Sequence, residues 1–168
     1  MSKTLNVTGT CFCGTVSFKA DGPELFNCLC HCRVCSRARG VSPVQLIGVP
    51  TECLVIVTGE DKLKEVAAPD ELKSSMVSTA CANCGAIVFQ GPKDAPFRAI
   101  TPASLKIQVE DASFPCGVSC KLPADLLPSA HINYENRLYD VADDLPKFSG
   151  MPGGAMVTND GTPIEASA

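Results

Sequence analysis

The chain has no tryptophan, only two tyrosines and only two histidines in 168 residues. With aromatic residues at 5%, few large rings are available for a core, and no aromatic–basic alternation offers a stacking surface for nucleic acid. Basic residues are not in excess either: 14 Lys and Arg stand against 18 Asp and Glu, a net charge of −4. That balance argues against broad electrostatic binding of nucleic acid or an anionic membrane. No apolar run approaches the roughly 18 residues that a membrane span needs. The best stretch, 44–57, is broken by Gln45, Pro50 and Glu52. The opening MSKTLNVTGT lacks the apolar segment of a secretory signal, so the expected location is the cytoplasm. Also missing are a Gly-rich phosphate loop, a Gly-x-Ser-x-Gly elbow and the paired histidines of a zinc finger.

What is abundant is turn residues and thiols. There are 13 Gly, 13 Pro and 11 Cys. In a reducing compartment disulfides are rare, so clustered cysteines point to metal or to thiol chemistry. Short alternating stretches, separated by turns, predict an all-β domain. The pattern predicts strand–turn–strand over 7–20, a turn at Asp21-Gly22-Pro23 and an extended segment over 25–32. A short helix is expected over 35–39, stopping at Gly40. Strands are expected over 41–49 and 53–58, then a hairpin-like turn at 59–62 and a return strand over 63–67. Further strands are expected over 74–80, 86–90, 98–101 and 131–135. The expected organisation is one zinc-stabilised domain over 1–150 and a loosely ordered tail over 151–168.

Three cysteine clusters carry the chemistry: Cys11-Phe12-Cys13-Gly14, Cys30-His31-Cys32-Arg33-Val34-Cys35 and Cys81-Ala82-Asn83-Cys84-Gly85. Zinc takes four soft ligands in a tetrahedron, and short Cys–Cys spacings bring two sulfurs to one ion. The glycines after Cys13 and Cys84 let the backbone turn its N–H groups toward the thiolates. The first and third clusters therefore supply a closed four-thiolate site: Cys11, Cys13, Cys81 and Cys84. Cys30, Cys32 and Cys35 remain as a group of three, and three protein ligands with an open position is the pattern of a catalytic zinc. The rival is a second structural site closed by Cys28 or by His31. Alternation along the strand sends His31 to the opposite face.

Zinc with three thiolates carries a formal charge of about −1 and is a weak Lewis acid, poorly suited to making hydroxide. It is better suited to holding a substrate sulfur as thiolate, which implies making or breaking a carbon–sulfur bond. Arg33, Arg37 and Arg39 follow the triplet and are candidates to clamp substrate carboxylates. His131 is a candidate proton relay. Cys28, Cys53, Cys116 and Cys120 read as small buried hydrophobes, and Cys116 and Cys120 are also a weak candidate redox pair.

The order of these motifs resembles the glutathione-dependent formaldehyde-activating enzyme family, also called the CENP-V/GFA domain. Ala130-His131-Ile132 and Asp143-Asp144-Leu145-Pro146-Lys147-Phe148 are similar to its closing motifs. The resemblance covers about residues 8–150. It implies an Mss4-like fold of several coiled antiparallel sheets with short helical turns around a structural zinc. It implies two zinc ions per chain, on the same two cysteine groups, with Cys30, Cys32 and Cys35 catalytic. The implied activity is that of a carbon–sulfur lyase joining glutathione, as co-substrate, to formaldehyde. The partners are then a small-molecule thiol and aldehyde, with no nucleic acid and no membrane, and an oligomer is possible. The alternative function is a non-catalytic, zinc-stabilised binding module. Ala80 stands where the family pattern leads one to expect an aromatic residue.

Overall fold

The computed structural model describes residues 3–106 and 122–165. Among the described residues twelve short strands dominate: β1 (Thr4–Thr10), β2 (Ser17–Pro23), β3 (Phe26–Cys30), β4 (Val44–Pro50), β5 (Leu54–Thr58), β6 (Leu63–Ala67), β7 (Met76–Cys81), β8 (Ile87–Pro92), β9 (Phe97–Ile100), β10 (His131–Ile132), β11 (Lys147–Phe148) and β12 (Met156–Val157). One α-helix, α1 (Arg33–Arg39), lies among the described residues, with several single-turn 3₁₀ segments. The all-β expectation therefore holds.

The strands form two sheets. The smaller runs β1-β2-β5, and the larger runs β12-β11-β10-β3-β4-β9-β8-β7-β6. Pairings are antiparallel except where β10 lies parallel to both β3 and β11. Between the sheets sits the main core, which includes Leu5, Val16, Phe18, Ile47, Val49, Val88 and Ile100. Each such side chain contributes about 1.5–3 kcal/mol on burial. A second cluster collects Cys28, Cys30, Cys35, Val44, Leu46, Ala99 and Ile132 behind the three-cysteine segment.

Four local expectations change. Asp21-Gly22-Pro23 is not a turn but the end of β2, paired through Pro23 to Thr4. Glycine is needed at 22 because a side chain there would collide with Cys53 Sγ. The segment 59–62 does not close a hairpin: β5 pairs with β2 while β6 pairs with β7, so this turn carries the chain from one sheet to the other. The strand expected over 131–135 stops at Ile132, because Asn133 takes a left-handed φ of 52° and a 3₁₀ turn follows. Residues 156–164, expected within a loosely held tail, instead dock. β12 pairs with β11, Val157 is buried, and Tyr134 Oη donates to Asn159 O at 2.6 Å. Hydrogen bonding of the backbone, which composition does not show, holds this apolar-poor segment. No helix among the described residues is long and apolar enough to cross a membrane.

Candidate metal centres and their surroundings

Two turns of the same design bring the first cysteine group together. In one, Cys11 N donates to Val16 O at 2.9 Å and Gly14 N to Cys11 O at 3.0 Å. In the other, Cys81 N donates to Ala86 O at 2.9 Å and Gly85 N to Cys81 O at 2.8 Å. Gly14 and Gly85 take φ of 77° and 74°, a left-handed conformation that costs other residues strain. The Sγ atoms of Cys11, Cys13, Cys81 and Cys84 all lie within 4.8 Å of one another. Cys11 and Cys13 sulfurs are 3.6 Å apart, and Cys13 and Cys81 sulfurs 3.9 Å. A disulfide needs about 2.05 Å. Four sulfurs at about 2.3 Å from a common tetrahedral zinc stand roughly 3.8 Å apart, so the donor set fits zinc.

Donors around this group favour thiolate. Val16 N donates to Cys11 Sγ at 3.2 Å, and Asn83 Nδ2 to Cys13 Sγ at 3.3 Å. Hydrogen bonding with Thr15, then with Asn83, draws Cys13 down to about 5. Burial pushes Cys11 the other way.

Cys30 ends β3, Cys32 caps the N-terminus of α1, and Cys35 lies one turn in. Their sulfurs form a second group within 4.8 Å. The helix positions two of them: Cys32 is extended at φ −63°, ψ 148°, and its Sγ accepts from Cys35 N at 3.3 Å. Gly40 ends the helix as its sequence position indicates. Hydrogen bonding between Cys30 and Cys32 pushes Cys30 up to about 11 and Cys32 down to about 2. Cys35 is raised, first by its hydrogen bond with Cys30. Cys28 is not a member of the group, and burial pushes its thiol up to about 12. Among the described residues, this group holds three cysteines and no fourth Cys, His, Asp or Glu.

Behind the triplet lies a polar chain that the sequence did not reveal. Gln90, buried on β8, donates from Nε2 to Cys35 Sγ at 3.1 Å. Its Oε1 accepts from Arg39 Nε at 3.1 Å. Only the pairing of β8 into the larger sheet puts a residue 55 positions away beside Cys35. Asn133 Nδ2 sits 3.6 Å from Cys30 Sγ.

The arginines separate. Arg37 pairs with Glu71 at 2.6 Å on the surface, and Arg33 is exposed. Arg39 alone turns inward, and burial lowers it to about 10, which leaves it charged at neutral pH. His31 and His131 meet on the other face of β3, with His31 Nε2 2.8 Å from His131 Nδ1. His131 Nε2 lies 2.9 Å from Asp143 Oδ2, and Lys147 Nζ donates to Asp143 Oδ1 at 2.6 Å. A carboxylate only accepts, so Nε2 of a neutral His131 carries the proton and Nδ1 accepts from His31. Both rings are buried, and both nitrogens of His131 are engaged. Cys116 and Cys120 fall outside the described residues.

A family model described as "Glutathione-dependent formaldehyde-activating enzyme" matches residues 6–113, which include all seven clustered cysteines. No curated relative matches the chain. The crystal structure of a Rhodobacter sphaeroides protein, a Northeast Structural Genomics target, is similar over 59% of this chain and 87% of its own, at 22% identity and a TM-score of 0.47.

Proposed function

The chain belongs to the glutathione-dependent formaldehyde-activating enzyme family, and from that premise we propose that it is a zinc-dependent carbon–sulfur lyase of the cytoplasm that forms or cleaves the adduct of glutathione with formaldehyde or a related aldehyde. The observation that carries this is the contrast between the groups: four cysteines in one, three in the other. A closed set of four suits structure, and a set of three suits a substrate thiol as the missing sulfur. When bound at Cys30, Cys32 and Cys35, zinc would supply the charge that keeps such a thiol ionised at neutral pH.

The reaction balances without a redox partner. The thiol sulfur bonds to the carbonyl carbon, the C=O π pair moves to oxygen, and the proton lost from sulfur ends on that oxygen. Cleavage is the reverse. The chain's own groups prepare this step. Cys32 is fixed by the helix start and Cys35 by its place one turn in. Gln90 holds Cys35 Sγ through a hydrogen bond of 3.1 Å. His131 is buried with one nitrogen toward His31 and the other toward Asp143, so with Asp143 it fixes the His31 ring and the backbone between Cys30 and Cys32.

Native mass spectrometry with and without glutathione, beside turnover of glutathione plus formaldehyde, tests the assignment. The expected result is two zinc ions per chain and a glutathione adduct. Cys32→Ser should lose the adduct and at least 100-fold in turnover while remaining folded. Unchanged turnover in Cys32→Ser would overturn it. Two zinc ions with neither adduct nor turnover would favour a zinc-stabilised binding module.

A further inference from the structure

Cys35 and Arg39 stand four residues apart in α1, which puts them on one face of the helix. Arg33 and Arg37 lie two residues to either side of Cys35, on other faces, and both are exposed. The face that carries Cys35 and Arg39 meets β8. There Arg39 Nη1 donates to Ile87 O and Arg39 Nε to Gln90 Oε1, both at 3.1 Å. Gln90 Nε2 in turn donates to Cys35 Sγ at 3.1 Å. Cys35, Gln90, Arg39 and the helical turn between the two α1 residues therefore form a closed ring.

The chemistry of Arg39 sets the direction of the hydrogen bonds in that ring. A guanidinium has donors only, so it engages the oxygen of an amide and never the nitrogen. Gln90 is buried, so its amide does not turn to solvent instead. With the amide oxygen held on Arg39, the NH₂ group is directed at Cys35 and the sulfur is the acceptor. A metal-bound cysteine is a thiolate, which suits that role. Without Arg39, nothing in the ring keeps the oxygen away from the sulfur. Two acceptors face to face in a buried site repel, and the thiolate loses its donor.

We infer that Arg39 is a positioning residue for the three-cysteine centre: it orients the Gln90 amide, and through that amide it holds Cys35 as a hydrogen-bonded metal ligand. It acts through Gln90 rather than on the ligands themselves. Its positive charge at the far end of the amide also polarises the N–H···S bond in the strengthening sense. The inference rests on zinc binding at Cys30, Cys32 and Cys35, and not on which thiol or aldehyde reacts there.

A double-mutant cycle on the full zinc-loaded chain tests it. Competition with a chromophoric chelator reads zinc affinity at the three-cysteine group. Cys32→Ser identifies the release that belongs to that group, and release from the four-cysteine group serves as the folding control. Arg39→Met and Gln90→Leu should each weaken zinc at the triplet by about tenfold or more, the range for partners of metal ligands. The double variant should be no weaker than Gln90→Leu alone, because Arg39 then has nothing to orient. Arg39→Lys keeps a donor for Oε1 and should retain more zinc than Arg39→Met. With cobalt(II) in the triplet, the sulfur-to-cobalt charge-transfer band should move to longer wavelength in Arg39→Met, as the sulfur loses its hydrogen bond. Additive losses in the double variant overturn the inference, as does Arg39→Met with the affinity and band of the unaltered protein. If Arg39→Met does not fold, Gln90→Glu decides. It keeps the shape of glutamine without a donor for Cys35, so it should lose zinc at least as strongly as Gln90→Leu, and undiminished affinity overturns the inference. Coupled losses without turnover of glutathione and formaldehyde would retain the role of Arg39 and reject the lyase. Turnover with additive losses would do the reverse.

Discussion

Gln90 shows how one side chain outside every sequence motif bears on a candidate metal centre. It is 1% exposed, and it donates to Cys35 Sγ while accepting from Arg39. Groups that hydrogen-bond metal ligands typically contribute 10–100-fold in metal affinity. Gln90→Leu should therefore weaken zinc retention at Cys30, Cys32 and Cys35 by roughly that factor. Retention at the four-cysteine group should be unchanged. Competition with a chromophoric chelator, which resolves the two releases, checks this, and equal loss at both sites would contradict it. Asn83 is the corresponding outer partner of the other group, through its 3.3 Å hydrogen bond to Cys13 Sγ. Asn83 lies inside a cysteine motif and so was in view from the sequence. Gln90 was not, because its meaning depends on sheet register.

Among the elements, α1 and β12 give contrasting cases. The helix was legible: a cysteine–arginine segment ending at Gly40 was expected, and α1 runs Arg33–Arg39 with Gly40 at φ 69°. Gly40→Ala forces a side chain into the left-handed region and should cost about 1 kcal/mol. Chemical denaturation measures it as a lower midpoint at unchanged slope. β12 was not legible, since the chain from Met151 onward offers little to bury. Its stability comes from the pairing Lys147↔Val157, the burial of Val157, and backbone acceptors offered to Tyr134 and Arg137. Deleting residues 155–168 should lower stability by roughly 2–4 kcal/mol, the sum of one buried valine and one or two hydrogen bonds. A truncated chain with the same denaturation midpoint would return the segment to the status of a free tail.

At the scale of the molecule, the four-cysteine group joins turns of the two sheets and, with zinc bound, would act as a staple. Cys11 and Cys13 belong to the β1–β2 turn of the smaller sheet, and Cys81 and Cys84 to the β7–β8 turn of the larger. A structural zinc contributes folding free energy directly. Cys81→Ser should thus yield little folded protein, whereas Cys32→Ser should remain folded; circular dichroism and soluble yield distinguish them. Acid should also destabilise the molecule through His31. Burial, followed by the nearby charges of Arg137 and Lys147 among others, holds His31 down to about 4 from an ordinary 6.5. Between those values the unfolded chain binds a proton that the folded chain does not, so stability falls as pH drops from about 6.5 to 4. At saturating zinc, the stability difference between the unaltered protein and His31→Asn should narrow across that window; a constant difference would refute the buried neutral histidine. The sequence by itself determined the β class and the grouping of seven cysteines into four and three, because thiol spacing and turn chemistry are local properties. It also determined that His31 leaves the ligand face, by strand alternation. Only the tertiary structure decided which arginine faces inward, that Gln90 backs Cys35, that His131 is enclosed between His31 and Asp143, and that residues 156–164 dock. Those outcomes depend on which strands become neighbours, and pairing between segments 50 to 100 residues apart is set by the packing of the whole core rather than by any local pattern.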